Sequence, residues 1–383
     1  MISTNLPVNH DEITAFLSNF KFLSACCTLL FSLVVTLVVM PKVILISKKK
    51  NLTALPNNRT SHSGIVPTLG GIGVFTGLLL TVNVVAVLFA SYNQLIDLLI
   101  FNILVLMLLL VGIFDDIITL APRRKFLYQL IIALIFVMTT NIRIQSFGGL
   151  FGIGMMPYIV SVVFSVFVIV LIINAYNLID GIDGLAGALG TLISMFMAVV
   201  FFYSGYFFNS LISISLIGAL VGFLVYNFSH RRKIFLGDTG SMVVGFVLAF
   251  QVILYLQLSI ASTHLDAFDN APIFVLALLS YPLLDTLRVF TVRILDKRSP
   301  FSADRNHIHH RIIDLGLRHI WATILIAIYT VIVSALAFVL NDLPINTVFA
   351  ILLPVAIGLL AIPFCVQRKG KQWRIGRPNS IRQ

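Results

Sequence analysis

The chain has 383 residues, 59% of them hydrophobic and only 11% charged, with a mean hydropathy of +1.03. Soluble domains run at about half apolar and about a quarter charged. The composition therefore excludes a water-soluble globular protein and makes lipid the solvent for most of the apolar surface. The net charge of +11 is unevenly spread along the chain, and its distribution carries more information than its sum.

A helix needs about 20 apolar residues to cross a bilayer, and about eleven runs approach that length. In chain order they are 22–46, 67–90, 95–114, 124–140, 158–176, 185–205, 209–227, 241–259, 270–292, 319–341 and 345–366. The fourth is short and the ninth carries charge. The first is too long for a cleavable signal peptide, and no small-residue cleavage site follows it. The glycine-rich segment TLGGIGVFTG at 68–77 fits close helix packing through small residues. Cys26, Cys27 and Cys365 all fall inside apolar runs, which suits packing and not a disulfide framework. No 20–50-residue period marks a repeat array. The expected fold is an all-α polytopic membrane protein, organised as a single integral-membrane domain over 1–383 that ends in a basic tail at 367–383.

An odd number of spans places the two ends on opposite sides. With the N-terminus outside and the C-terminus cytoplasmic, all 26 Lys and Arg except Lys21 and Arg143 fall on the cytoplasmic side, as the positive-inside rule favours. Asp115, Asp116, Asp180, Asp183, Asp238 and Asp285 fall on that side or at its boundary, whereas the only Glu, Glu12, lies outside. The basic tail would suit anionic lipid headgroups.

Polar patches recur along that one side. The loop LPNNRTSHSG at 55–64 brings Arg59 and His62. GIFDD at 112–116 ends the third run and RRKFLYQ at 123–129 opens the fourth. Acids at a helix C-terminus oppose the macrodipole, and two adjacent carboxylates call for a cation, which Lys125 or a metal ion would supply. NAYNLIDGIDGL at 174–185 places Asn174 and Asn177 three apart on one helical face, and Gly181 and Gly184 then let the backbone approach a ligand. KIFLGDTGSM at 233–242 sets Asp238 between glycines before an apolar run. It reads as an N-cap or as an anion site. Asp285 and Arg288 are spaced for a helical salt bridge. SPFSADRNHIHHR at 299–311 gathers His307, His309 and His310 beside Arg305 and Arg311. The flanking arginines would repel zinc and suit an oxyanion or nucleotide better. Mg²⁺ is held by one or two carboxylates together with substrate phosphates. The patches together read as a cytoplasm-facing site for a diphosphate substrate and Mg²⁺, and the membrane setting makes the second substrate a lipid.

These motifs, in this order, resemble the polyprenyl-phosphate N-acetylhexosamine-1-phosphate transferases. The likeness runs from Pro56 to His310 and rests on PNNRTSH, GIFDD followed by Lys125, NAYNLIDGIDGL, FLGDTGS and PFSADRNHIHH. One departure is Ala54, where the family often has an Asp two residues before the proline. The run His307-Ile308-His309-His310-Arg311 favours the branch that moves GlcNAc-1-phosphate to undecaprenyl phosphate over the branch that uses UDP-MurNAc-pentapeptide.

The resemblance implies transfer from UDP-GlcNAc to undecaprenyl phosphate with release of UMP, on the cytoplasmic face of the bacterial inner membrane. It also implies a set of roles. Asp238 and Asn177 would bind Mg²⁺, with Mn²⁺ as an alternative ion. Asp115 would orient or deprotonate the lipid phosphate, with Asp116 beside it. Lys125 and the histidines His307, His309 and His310 would hold phosphates or the nucleotide, and Asp180 and Asp183 would shape the nucleotide pocket. Asn174, Arg305, Arg59 and His62 complete the expected substrate-binding set. Expected partners are the two substrates and the bilayer, with room for a homodimer and none for a nucleic acid. Competing readings are another UDP-N-acetylhexosamine as donor, a transporter, since intramembrane acids also mark ion pathways, and a non-catalytic membrane scaffold.

Overall fold

The structure is a computed structural model that describes residues 20–54, 66–261, 270–299, 306–369 and 372–375. Thirteen α-helices dominate these residues: α1 (Lys21–Lys49), α2 (Gly70–Phe89), α3 (Tyr92–Ile118), α4 (Pro122–Thr140), α5 (Tyr158–Ile179), α6 (Leu185–Tyr203), α7 (Phe207–Asn227), α8 (Gly237–Ala261), α9 (Ala271–Leu278), α10 (Ser280–Leu295), α11 (Ile308–Asp314), α12 (His319–Val339) and α13 (Ile345–Cys365). Two antiparallel ladders join them, β1 (Thr53–Ala54) with β2 (Val66–Pro67) and β3 (Val366–Lys369) with β4 (Gln372–Ile375). Among the described residues nine helices are long and apolar enough to cross a membrane, or ten if α9 and α10 form one span. The protein is thus an all-α polytopic membrane protein. The nineteen-residue α4 begins with Arg123, Arg124 and Lys125 in its first turn and falls outside that set.

The run expected at 270–292 is interrupted in the structure. It is two helices bent by 68° and not a straight span. Pro282 is the cause. Its missing N–H removes the bond to the carbonyl four residues back, and its ring crowds that carbonyl. The break falls at that carbonyl, between Leu278 and Ser280, and the Ser280 hydroxyl takes up the Ala277 carbonyl at 2.7 Å.

Helix α8 is the central column. Every residue from Thr239 to Leu256 is buried, because α2, α3, α5 and α6 pack around it. A helix apolar on all sides suits such a buried place. The outer helices do the reverse. Phe22, Leu30, Val34, Val38 and Leu45 on α1, and Ile159, Val163 and Phe167 on α5, are exposed, as a lipid-facing surface requires. Glycines bring the column close to its neighbours. A Cβ at Gly71 would lie 2.2 Å from Gly240 N, and one at Gly112 would lie 2.4 Å from Thr239 Cα. The 68–77 segment is therefore a close-packing surface. Backbone bonds from Gly70 and Gly71 to Phe235 and Leu236, each 2.9 Å, fasten the start of α2 to the segment leading into α8.

Candidate active site

Five chain segments meet at one end of the bundle: the C-terminal turn of α3, the first turns of α4 and α8, the C-terminal end of α5 with the 180–184 turn, and α11. Asp115 lies in the last turn of α3, which runs four residues beyond the predicted apolar segment. Its Oδ1 accepts a hydrogen bond from Leu120 N at 2.7 Å, and its Oδ2 lies 2.8 Å from Lys125 Nζ. Lys125 also donates to Asp238 Oδ1 at 2.9 Å and to Asn177 Oδ1 at 3.3 Å. Asn177 closes the cluster, donating to Asp238 Oδ1 and, at 2.8 Å, to Ser241 Oγ. Residues 115, 125, 177 and 238 thus converge on one ammonium-sized centre.

Asp116 does something different from its neighbour. Successive helical residues point about 100° apart, and its carboxylate turns to the start of α8. There it accepts from Asp238 N at 3.0 Å, Thr239 N at 2.9 Å and Thr239 Oγ1 at 2.6 Å. Asp116, expected beside Asp115, thus has its carboxylate on the first turn of α8. The N-cap reading of Asp238 is corrected by that contact. The first free N–H groups of α8 are satisfied from α3, which leaves the Asp238 carboxylate for Lys125 and Asn177. Gly237, at φ +72°, completes the turn, and a Cβ there would meet Thr68 O at 2.1 Å.

Asp180 follows α5 and accepts a hydrogen bond from the Gly237 backbone. Burial pushes its carboxyl well above the ordinary range, and the nearby Asp238 and Asp116 push it the same way. Asp183 is held by two residues outside the sequence-derived site. Lys233 lies 2.6 Å and His319 2.9 Å from its Oδ2. Burial opposes its ionisation, but His319 and Lys233 outweigh burial and hold its pKa below the usual value. Asp183 is thereby a latch between the 180–184 turn, the segment before α8 and α12, which Thr323 reinforces by donating to Asp183 O at 3.0 Å.

His309 and His310 lie on the short helix α11, and His307 is the residue that precedes it. His307 Nδ1 lies 2.8 Å from Asp285 Oδ2, and Ile308 N donates to Asp285 Oδ1 at 3.0 Å. His309 is fully buried, with Nδ1 3.2 Å from Tyr281 Oη. Burial, with His310 beside it, holds its pKa well below the ordinary value. A Cβ at Gly181 would lie 2.5 Å from His309 Nε2 and 3.2 Å from His310 Nε2. Gly181 therefore lets the backbone approach these two imidazoles, which joins α11 to the 180–184 turn.

Asn174 points away from the ammonium cluster. It donates to Gln129 Oε1 at 2.6 Å and to Val170 O at 2.8 Å. It also lines an apolar cavity of about 480 Å³ walled by α4, α5 and α10, with Phe126, Val166, Phe167, Val170 and Phe290 among its lining residues. Arg59, His62 and Arg305 lie outside the described residues.

The donor set suits a hard divalent cation. Two carboxylates and an amide oxygen already surround one cationic centre, and phosphate and water would supply the rest of an octahedron. Among the described residues no group of three or more His, Cys, Asp or Glu is placed to hold a metal by protein ligands alone.

Residues 98–256 match the family model described as glycosyl transferase family 4. A Bacillus subtilis (strain 168) protein named a probable undecaprenyl-phosphate N-acetylglucosaminyl 1-phosphate transferase is 33% identical over 316 residues, which cover 81% of this chain and 83% of that protein. Proteins named undecaprenyl-phosphate alpha-N-acetylglucosaminyl 1-phosphate transferase from Yersinia pestis and Escherichia coli O157:H7 are 27% and 25% identical, over 86% and 87% of this chain and 87% of each relative. The matched stretch holds every site residue from Asp115 to Asp238. The chain belongs to glycosyl transferase family 4, among the polyprenyl-phosphate N-acetylhexosamine-1-phosphate transferases that its motifs resemble.

Proposed function

We propose that the protein transfers GlcNAc-1-phosphate from UDP-GlcNAc to undecaprenyl phosphate, releasing UMP, as the first membrane step of a cell-envelope polysaccharide. The observation that carries this reading is the meeting of Asp115, Lys125, Asn177 and Asp238 at one end of a helical bundle, beside an apolar cavity. A carboxylate–ammonium–amide cluster suits a diphosphate. The cavity at Asn174 suits a prenyl chain whose phosphate must arrive at membrane depth. The topology that goes with it has eleven spans, with α9–α10 as one bent span and α4 as another, the N-terminus outside and the site on the cytoplasmic face.

The chemistry is one displacement. An oxygen of the lipid phosphate attacks the β-phosphorus that bears the sugar. The bond from that phosphorus to the bridging oxygen breaks, and its electron pair leaves with UMP. A Mg²⁺ ion held by Asp238 and Asn177 would neutralise the diphosphate. The protein's own work is positioning and charge complementarity. Asp115 is fixed by Leu120 N and pairs with Lys125, whose ammonium serves the incoming phosphate once it leaves that seat. Asp116 holds the first turn of α8, so that Asp238 has a defined place. Asp285 holds the start of α11 through His307 and Ile308 N, which fixes the buried histidines against the 180–184 turn beside the expected nucleotide pocket.

The test is release of UMP from a panel of UDP-sugars with undecaprenyl phosphate, with and without Mg²⁺. UDP-GlcNAc should be the preferred donor and Mg²⁺ should be required. Asp238→Asn should lower turnover by a factor of about 10³ and remove the response to Mg²⁺. Near-normal turnover in that variant would sink the assignment, and preference for UDP-MurNAc-pentapeptide would change the donor while keeping the chemistry.

A further inference from the structure

An ammonium group has three donors and no more, and Lys125 has all three engaged. They go to Asp115 Oδ2 at 2.8 Å, Asp238 Oδ1 at 2.9 Å and Asn177 Oδ1 at 3.3 Å. Two consequences follow. In this arrangement Lys125 has no donor left for a phosphate. Its nitrogen also sits at the centre of the oxygens that the functional reading gives to a divalent ion. Mg²⁺ needs those oxygens at about 2.0–2.1 Å, so the ammonium and the ion exclude each other from that centre by space and by charge. The lysine has somewhere to go. Its four-carbon stem rises from the first turn of α4 and can swing while the backbone stays fixed.

We propose that Lys125 is an internal counter-ion seated between Asp115, Asn177 and Asp238, and that a divalent metal enters only by displacing its ammonium, which is then free to take the substrate's phosphate. The inference rests on the reading that Asp238 and Asn177 hold the metal. The seated ammonium keeps Asp115 and Asp238 from repelling each other in the metal-free protein. It also makes metal binding by itself weak, since the ion must first break the contact between Lys125 and Asp238. A phosphate that accepts the released donors favours the displaced state, and linkage makes that coupling reciprocal.

The experiment measures Mn²⁺ affinity of the purified, detergent-solubilised full chain by electron paramagnetic resonance, with no nucleotide present. Lys125→Met keeps the length of the side chain and removes its charge. It should bind Mn²⁺ about tenfold more tightly than the wild type while UMP release falls, and Lys125→Arg, which keeps the charge, should keep the weak wild-type binding. Asp238→Asn should remove binding in the wild-type and the Lys125→Met backgrounds alike. If Asp238→Asn removes binding but Lys125→Met binds no tighter than wild type, the counter-ion inference is overturned and the metal site stands. If binding survives Asp238→Asn, the metal site falls and the inference falls with it. The wild-type chain gives a second readout that needs no variant to fold. Saturating Mn²⁺ should raise acetylation of Lys125, followed by mass spectrometry, and unchanged acetylation overturns the displacement.

Discussion

The carboxylate of Asp285 is fully buried and has three partners: His307 Nδ1 at 2.8 Å, Ile308 N at 3.0 Å and the Arg288 guanidinium at 3.1 Å. A buried charge persists only where it is paired and hydrogen-bonded, and here the pairing fixes the start of the histidine helix. Asp285 is therefore a positioning residue. Asp285→Asn keeps an acceptor for Ile308 N but removes the charge facing His307. It should leave the protein folded and raise KM for UDP-GlcNAc about tenfold, with a smaller change in kcat. A wild-type KM would detach α11 from nucleotide binding. The Arg288 contact was legible in the sequence, because three residues apart on a helix is a local spacing. The His307 contact was not, since those residues are 22 apart and nothing in a helical period relates them. The same limit explains Lys233 and His319. Each reads alone as an ordinary basic residue, and only the fold brings both to Asp183.

At the scale of elements, the site depends on where α8 begins. Its first turn is held by Asp116 from α3 and Asp180 from the α5 end, and it lies against the glycine faces of α2 and α3. A Cβ at Gly112 would meet only backbone, Thr239 Cα at 2.4 Å and Thr239 N at 2.8 Å, so no side chain can yield to it. Gly112→Ala should push α8 outward, lengthen the Asp116 contacts and lower turnover by a factor of about 10² without touching a charged group. Gly154→Ala is the control, since nothing lies within 4 Å of its Cβ position and its φ is ordinary. Equal activity in the two variants would show that the approach of α8 to α3 is not what places Asp238. Helices of this length were legible because each needs only an apolar run. The bend at Pro282 carried a local signal too, but its angle depends on packing against α5, α12 and α13.

For the whole molecule, charge sorts the loops while packing supports the alternation of ends. The turn between α6 and α7, around Ser204, has no Lys or Arg, whereas the segment after α7 holds Arg231, Arg232 and Lys233. These segments flank the same helix, Phe207–Asn227, which is long enough to cross the bilayer at 1.5 Å per residue, and a crossing puts them on opposite sides. The site shares the basic side, because Lys233 pairs with Asp183 and Phe235 pairs with Pro67 at the start of α2. A chain with its three cysteines replaced can carry a single new one in either segment. An impermeant maleimide should label Ser204→Cys in spheroplasts and spare Arg231→Cys until the membrane is opened. The reverse pattern would place Asp238 on the outer face, away from nucleotide-sugars made in the cytoplasm, and a donor of that class would have no route to the cluster. Labelling of both would mean that α7 does not cross. The direction of this one helix therefore decides whether the geometry around Lys125 can meet its soluble substrate at all.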